Sequence, residues 1–156
     1  MALLCKNYTR YNPSRFNQTW EDMMGEITNG VSWLAVLAGA VISFLLGWLW
    51  YSPKLFGVKW AEGSGIKMKL DEAAKMPMDA MGTQALGLLL MSWFVGVTAN
   101  NNALYTVILA TVAFVVLQFS ASSFIGKSSY ARLVDAGYWI ASLVIMIICE
   151  GLIRGM

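Results

Sequence analysis

The hydrophobic positions of this chain fall into long unbroken runs, without the one-sided periodicity of a water-soluble helical fold. Val31 to Tyr51 is an uncharged apolar stretch of the roughly 20 residues that a helix needs to cross about 30 Å of hydrocarbon. From Ala80 to Gly126 there is again no charged residue, and the stretch is broken only by Asn100, Asn101 and Asn102. Asparagine favours turns and tolerates left-handed backbone, so this segment predicts a helical hairpin with spans over about 80–98 and 103–125. A fourth span is predicted over 135–153, with Glu150 and Arg154 near its far end. The pattern predicts an all-α fold: a four-transmembrane-helix bundle preceded by a short amphipathic interfacial helix. Residues 1–30 form the arm and that helix, and residues 31–156 the membrane domain.

The ends of the apolar runs carry the residues that prefer headgroups. Trp33 opens the first span, Trp48, Trp50 and Tyr51 close it, and Trp60 and Trp139 anchor the segments that follow. Ser52-Pro53 ends the first helix, because proline donates no hydrogen bond and moves the preceding residue out of the α region. Before the first span, Thr19 reads as an N-cap. Trp20, Met23, Met24 and Ile27 then share a face opposite Glu21, Asp22 and Glu26, which predicts a helix lying in the interface up to Asn29-Gly30. Residues 1–18 hold three basic residues, several aromatics and no acid, a composition that suits a docking arm or an organellar transit peptide equally. Between the first two spans, Leu70 to Met76 predicts a short surface helix, stopped by Pro77.

Composition agrees with this placement. Of 156 residues, 58% are hydrophobic and 13% charged, about half the charge of an ordinary soluble domain. There is no histidine, which excludes a Ser/His/Asp triad, a His-ligated metal or haem, and an imidazole switch. A net charge of +2 is too small to argue for nucleic acid. Two cysteines, Cys5 and Cys149, do not make a disulfide framework, and Cys149 reads as a small buried hydrophobe.

Charge position sets an expected orientation. With four spans, Lys6, Arg10, Arg15 and Arg154 share one side, and Lys54, Lys59, Lys67, Lys69, Lys75, Lys127 and Arg132 the other. The positive-inside rule then places both termini in the periplasm or lumen, and the loops 52–79 and 126–134 in the cytoplasm. A bacterial inner membrane is the favoured setting, with an organellar inner membrane as the alternative.

The run Ser32-Trp33-Leu34-Ala35-Val36-Leu37-Ala38-Gly39-Ala40, then Leu46 to Gly57 with its W-Y-S-P-x-x-F-G string, then Trp60 and Ala136-Gly137-Tyr138-Trp139, resembles a small bacterial integral-membrane family called domain of unknown function 1761. The resemblance covers about residues 31–155 and implies a four-span membrane fold. It brings no activity and no catalytic residues, and residues 1 to about 28 lie outside it.

Small residues four apart point to close helix packing: Ala35, Gly39, Ser43 and Gly47 on the first span, Ser92, Gly96 and Asn100 on the second, Gly151 and Gly155 on the fourth. Polar groups inside hydrocarbon are functional candidates by default. Glu150, with Arg154 at i+4, is the strongest and Gln118 the next, whereas Gln84 and the serines near Gln118 read as links between helices. Asp135, close to Arg132, reads as a helix-start acid at the headgroups. There is no CxxC, no phosphate-cradling glycine loop, no HExxH and no paired intramembrane carboxylate. The expectation is therefore a protein that is not an enzyme and holds no cofactor. It is read as an accessory or structural subunit that docks onto a larger membrane complex through its N-terminal arm and small-residue helix faces, contacting membrane lipids and other membrane subunits, a hetero-complex being favoured over a homo-oligomer. A small homo-oligomeric channel or transporter is the alternative.

Overall fold

The computed structural model describes residues 13–66 and 78–155. Among them are six α-helices and no strand: α1 Pro13–Thr28, α2 Trp33–Trp50, α3 Gly57–Gly63, α4 Met78–Asn100, α5 Leu104–Phe124 and α6 Ser129–Arg154. α2, α4, α5 and α6 are each long and apolar enough to cross a membrane, so the all-α, four-span expectation is borne out. The arm before Pro13, with Cys5, and the helix expected over Leu70–Met76 lie outside the described residues.

The chain divides into two compact units, residues 1–30 and 31–156. In the first, α1 begins at Pro13, so Thr19 lies inside the helix and does not cap it. Proline at the first helical position loses nothing by lacking an N–H and arrives with its φ preset. Met23 and Met24 are half exposed, and Gly30 ends the segment in the left-handed region (φ 73°).

In the second unit, α6 packs against α2, α3, α4 and α5, and α2 also packs against α4. The centre is built from Leu88, Val95, Val107, Tyr138, Leu143 and Met146. Small residues set the close approaches. A Cβ on Gly39 would stand 2.7 Å from Ser92 Oγ, and one on Gly47 3.0 Å from the Tyr138 hydroxyl oxygen. Ala35 and Ser43 are buried on the same stripe of α2. Gly151 differs, because nothing lies within 4 Å of its Cβ position, and Gly155 would meet only its own helix. Leu109, Val116, Leu117 and Phe124 leave most of the surface of α5 apolar and open, as a lipid-facing helix requires.

The turns follow their sequences. Asn102 adopts φ 54° between α4 and α5, as the asparagine cluster predicts. After α2, the Ser52 carbonyl accepts hydrogen bonds from the Leu55 and Gly57 N–H groups, and the Trp50 carbonyl from that of Phe56. This tight return brings Gly57 against the backbone just after α2: a Cβ there would stand 2.1 Å from the Tyr51 carbonyl oxygen. Phe56 also meets Trp50 at a tilt of 52°, ring centroids 4.9 Å apart. The return starts α3, a helix the hydropathy pattern does not announce.

α6 begins six residues before the expected start. Ser128 caps it, accepting a hydrogen bond from the Ala131 N–H at 3.2 Å, and the Ser128 N–H donates to the Gly63 carbonyl at 2.8 Å. The early start moves Asp135 from a helix end into its second turn, where only 7% of its surface is exposed.

Candidate functional site

Two buried carboxylates stand on α6, Asp135 and Glu150. Fifteen residues at 1.5 Å each place them about 22 Å apart along the axis, a separation smaller than the roughly 30 Å thickness of a hydrocarbon core. Taking a carboxylate out of water costs several kcal/mol unless it is paired, and each has a cation from its own chain.

Asp135 is the better furnished. Its Oδ1 accepts hydrogen bonds from Trp60 Nε1 at 2.7 Å and from the Tyr51 hydroxyl at 3.0 Å, while Oδ2 takes the Lys127 ammonium at 2.8 Å. The donors come from the end of α2, from α3 and from the turn before α6. That ammonium lies 5.5 Å from the centre of the Trp60 ring, within cation–π range, and Tyr51 meets Trp60 edge-on at 4.8 Å. Burial, with the Asp135 carboxylate beside it, pushes the Tyr51 phenol above its ordinary range. The phenol therefore keeps its proton and donates it. Next to this group, Trp50 Nε1 donates to the Val134 carbonyl at 3.1 Å. Tyr138, fully buried, donates to the Ser43 carbonyl at 3.2 Å and accepts from Gln84 Nε2 at 3.1 Å.

Several residues expected to mark the headgroup level thus have inward roles. Tyr51, Trp50 and Trp60 turn their polar atoms into the protein. Trp48 is mostly exposed, Trp33 packs on Trp93 at 5.5 Å, and Trp139 meets Phe114 edge-on at 5.1 Å. Asp135, expected to stand at the headgroups beside Arg132, instead faces Lys127. Arg132 itself donates to Ser123 and Ser129 and lies over Phe119. Gln118 is half-buried on α5, away from both carboxylates in sequence and with no part in either group.

At the other end of α6, Glu150 is 3% exposed and its Oε2 lies 3.1 Å from Arg154 Nε. Arg154 Nη2 also donates to Asn100 Oδ1 at 3.2 Å, tying the ends of α4 and α6 together. Gly96 makes room for the carboxylate: a Cβ there would stand 2.8 Å from Glu150 Oε1. That oxygen is buried and accepts no hydrogen bond among the described residues. Between the two acids, Ser92 donates to the Val36 carbonyl at 2.8 Å, a hydroxyl used to join α4 to α2.

No group of three or more histidine, cysteine or acidic side chains converges among the described residues. What the arrangement does chemically is hold charge: two carboxylates at opposite ends of one central helix, each neutralised within the chain.

A family model described as "Protein of unknown function (DUF1761)" matches residues 34–151, and the chain belongs to that family. No curated protein and no solved structure matches it.

Proposed function

We propose that this member of the DUF1761 family is a non-enzymatic accessory subunit, docking onto a larger membrane complex through its N-terminal segment. The observation that carries the reading is α1. This helix precedes the matched region 34–151, and its Met23 and Met24 are half exposed beside the acids Glu21, Asp22 and Glu26. A second support is the bundle itself, in which Asp135 and Glu150 pair with Lys127 and Arg154 of the same chain and the Ser92 and Tyr138 hydroxyls donate from one helix to another. Deleting residues 2–28 and following migration in mild detergent tests the proposal. Loss of a high-mass species supports it, and unchanged, partner-free migration of both forms rejects it.

The proposed setting is a bacterial inner membrane with both termini periplasmic. Single cysteines at Lys54 and Asn101 check the orientation: a membrane-impermeant thiol reagent should reach the second from outside and the first only after the membrane is opened.

One observation favours a second reading, a small homo-oligomeric channel or transporter. Glu150 Oε1 is buried inside a span without a hydrogen bond, and such groups often lie on ion paths. Liposome flux of wild type against Glu150→Gln separates the two, since equal flux removes the role of Glu150.

A further inference from the structure

The group around Asp135 has the chemistry of an ammonium receptor. Organic ammonium ions are recognised by a carboxylate together with the face of an aromatic ring, and Lys127 Nζ meets both: Asp135 Oδ2 at 2.8 Å and the Trp60 ring at 5.5 Å. The carboxylate is divided in use. Oδ1 is filled by two neutral donors, Trp60 Nε1 and the Tyr51 hydroxyl, which fix its direction and leave Oδ2 for a cation. Those neutral donors bring no charge of their own, so the cage is incomplete without an ammonium.

Its three walls and its occupant are held differently. Trp60 and Asp135 stand on helices, and Tyr51 is the capping residue of α2, bonded through its N–H to the Gly47 carbonyl at 3.0 Å. Tyr51 is further braced by its ring contacts with Trp60 and Tyr138. Lys127 comes from the turn between α5 and α6, next to Gly126 at φ 78°, and its side chain is 20% exposed against 10% for Asp135. The walls are thus held by helices and ring contacts, and the ammonium by the side chain of a turn residue that is the more exposed partner of the pair.

We propose that Tyr51, Trp60 and Asp135 form a binding site for a primary alkylammonium, with Lys127 as its tethered resident and an external amine able to take its place. The cage is built from the end of α2, from α3 and from the start of α6. A free amine and the ethanolamine headgroup of a lipid therefore present the same chemistry to it. The inference stands independently of docking by α1.

The test is chemical rescue of the full-length protein in detergent free of ethanolamine lipid. Lys127→Ala opens the cage and lowers the unfolding temperature. Methylammonium chloride should restore at least half of that loss in a saturable manner, while sodium chloride at equal ionic strength does not, and wild type, in which Lys127 competes for the site, responds only at higher methylammonium concentration. The Asp135→Asn, Lys127→Ala double variant should lose the rescue. Free ethanolamine tests the soluble source. Vesicles of phosphatidylethanolamine against phosphatidylglycerol test the lipid source, and stabilisation by either one identifies it. Methylammonium acting no better than sodium, or acting equally on the double variant, overturns the site. If Lys127→Ala does not fold unaided, it is expressed and purified in methylammonium. Folded protein recovered there and not in sodium chloride supports the site, and none in either overturns it.

Discussion

Lys127→Met and Asp135→Asn probe the buried pair from its two sides and should not add. Lys127→Met keeps the stem but removes the charge, leaving a carboxylate of 10% side-chain exposure with two neutral donors. Breaking a buried pair in this way costs about 3–5 kcal/mol, and the low end applies because Trp60 and Tyr51 still donate. Asp135→Asn keeps an acceptor for those donors, but each hydrogen bond changes from charged to neutral, a loss of about 1 kcal/mol apiece. The freed ammonium of Lys127, already one-fifth exposed, moves out to water on its stem. The single variants should therefore cost about 3 and 2 kcal/mol, and the double variant about 2 rather than 5. At this chain length 1 kcal/mol corresponds to roughly 2–4 °C, so Lys127→Met should lower the unfolding temperature by about 6–12 °C. Thermal unfolding of the four purified proteins, followed by near-ultraviolet circular dichroism in one detergent, gives the cycle directly. Additivity within about 0.5 kcal/mol, or a Lys127→Met protein as stable as wild type, would refute the reasoning.

Gly57→Ala should be among the most damaging single-methyl additions, because the new Cβ would stand 2.1 Å from the Tyr51 carbonyl oxygen. The yield of folded protein after detergent extraction should fall sharply, while Gly82→Ala, with nothing within 4 Å, should match wild type. Gly96→Ala should cost about 1–3 kcal/mol by overpacking against Glu150 Oε1. The cost should shrink in a Glu150→Ala background, and an equal cost in both backgrounds would count against that contact. Tyr51 gives a pH dependence. Its folded phenol titrates above the ordinary value of about 10, so its contribution is complete below that pH and is lost as pH rises beyond it. Unfolding temperature should fall more steeply above about pH 10 in wild type than in Tyr51→Phe.

The four spans were legible because hydrocarbon imposes a length and a polarity that composition alone reveals, and the Asn100–Asn102 turn because few residues adopt φ 54° as readily as Asn102 does. The Asp135 cage was hidden by the same criterion. A hydropathy reading treats Arg132 and Asp135 as the edge of a span, whereas the helix runs back to a serine cap at Ser128, and buried charge is possible there because Lys127 neutralises it. The polar run before the fourth span held one usable signal, the Ser128 cap. α3 is only seven residues long and is created by the turn at Pro53–Gly57, a tertiary cause with no periodicity of its own. In the sequence, Trp60 and Tyr51 read as interfacial aromatics. Nothing in their spacing says that the indole and the phenol donate to a residue 75 or 84 positions away. Gly39 and Gly96 illustrate the reverse case, since small residues four apart mark a close approach before the partner is known.

The proposed role as an accessory subunit requires this chain to be part of something larger. Native mass spectrometry of the full-length protein, released from its own membrane in mild detergent, measures that directly. The expected mass is that of this 17.2 kDa chain plus other, different subunits, with the assembly lost when residues 2–28 are deleted. A monomer, or an integral multiple of the chain mass alone, would contradict it.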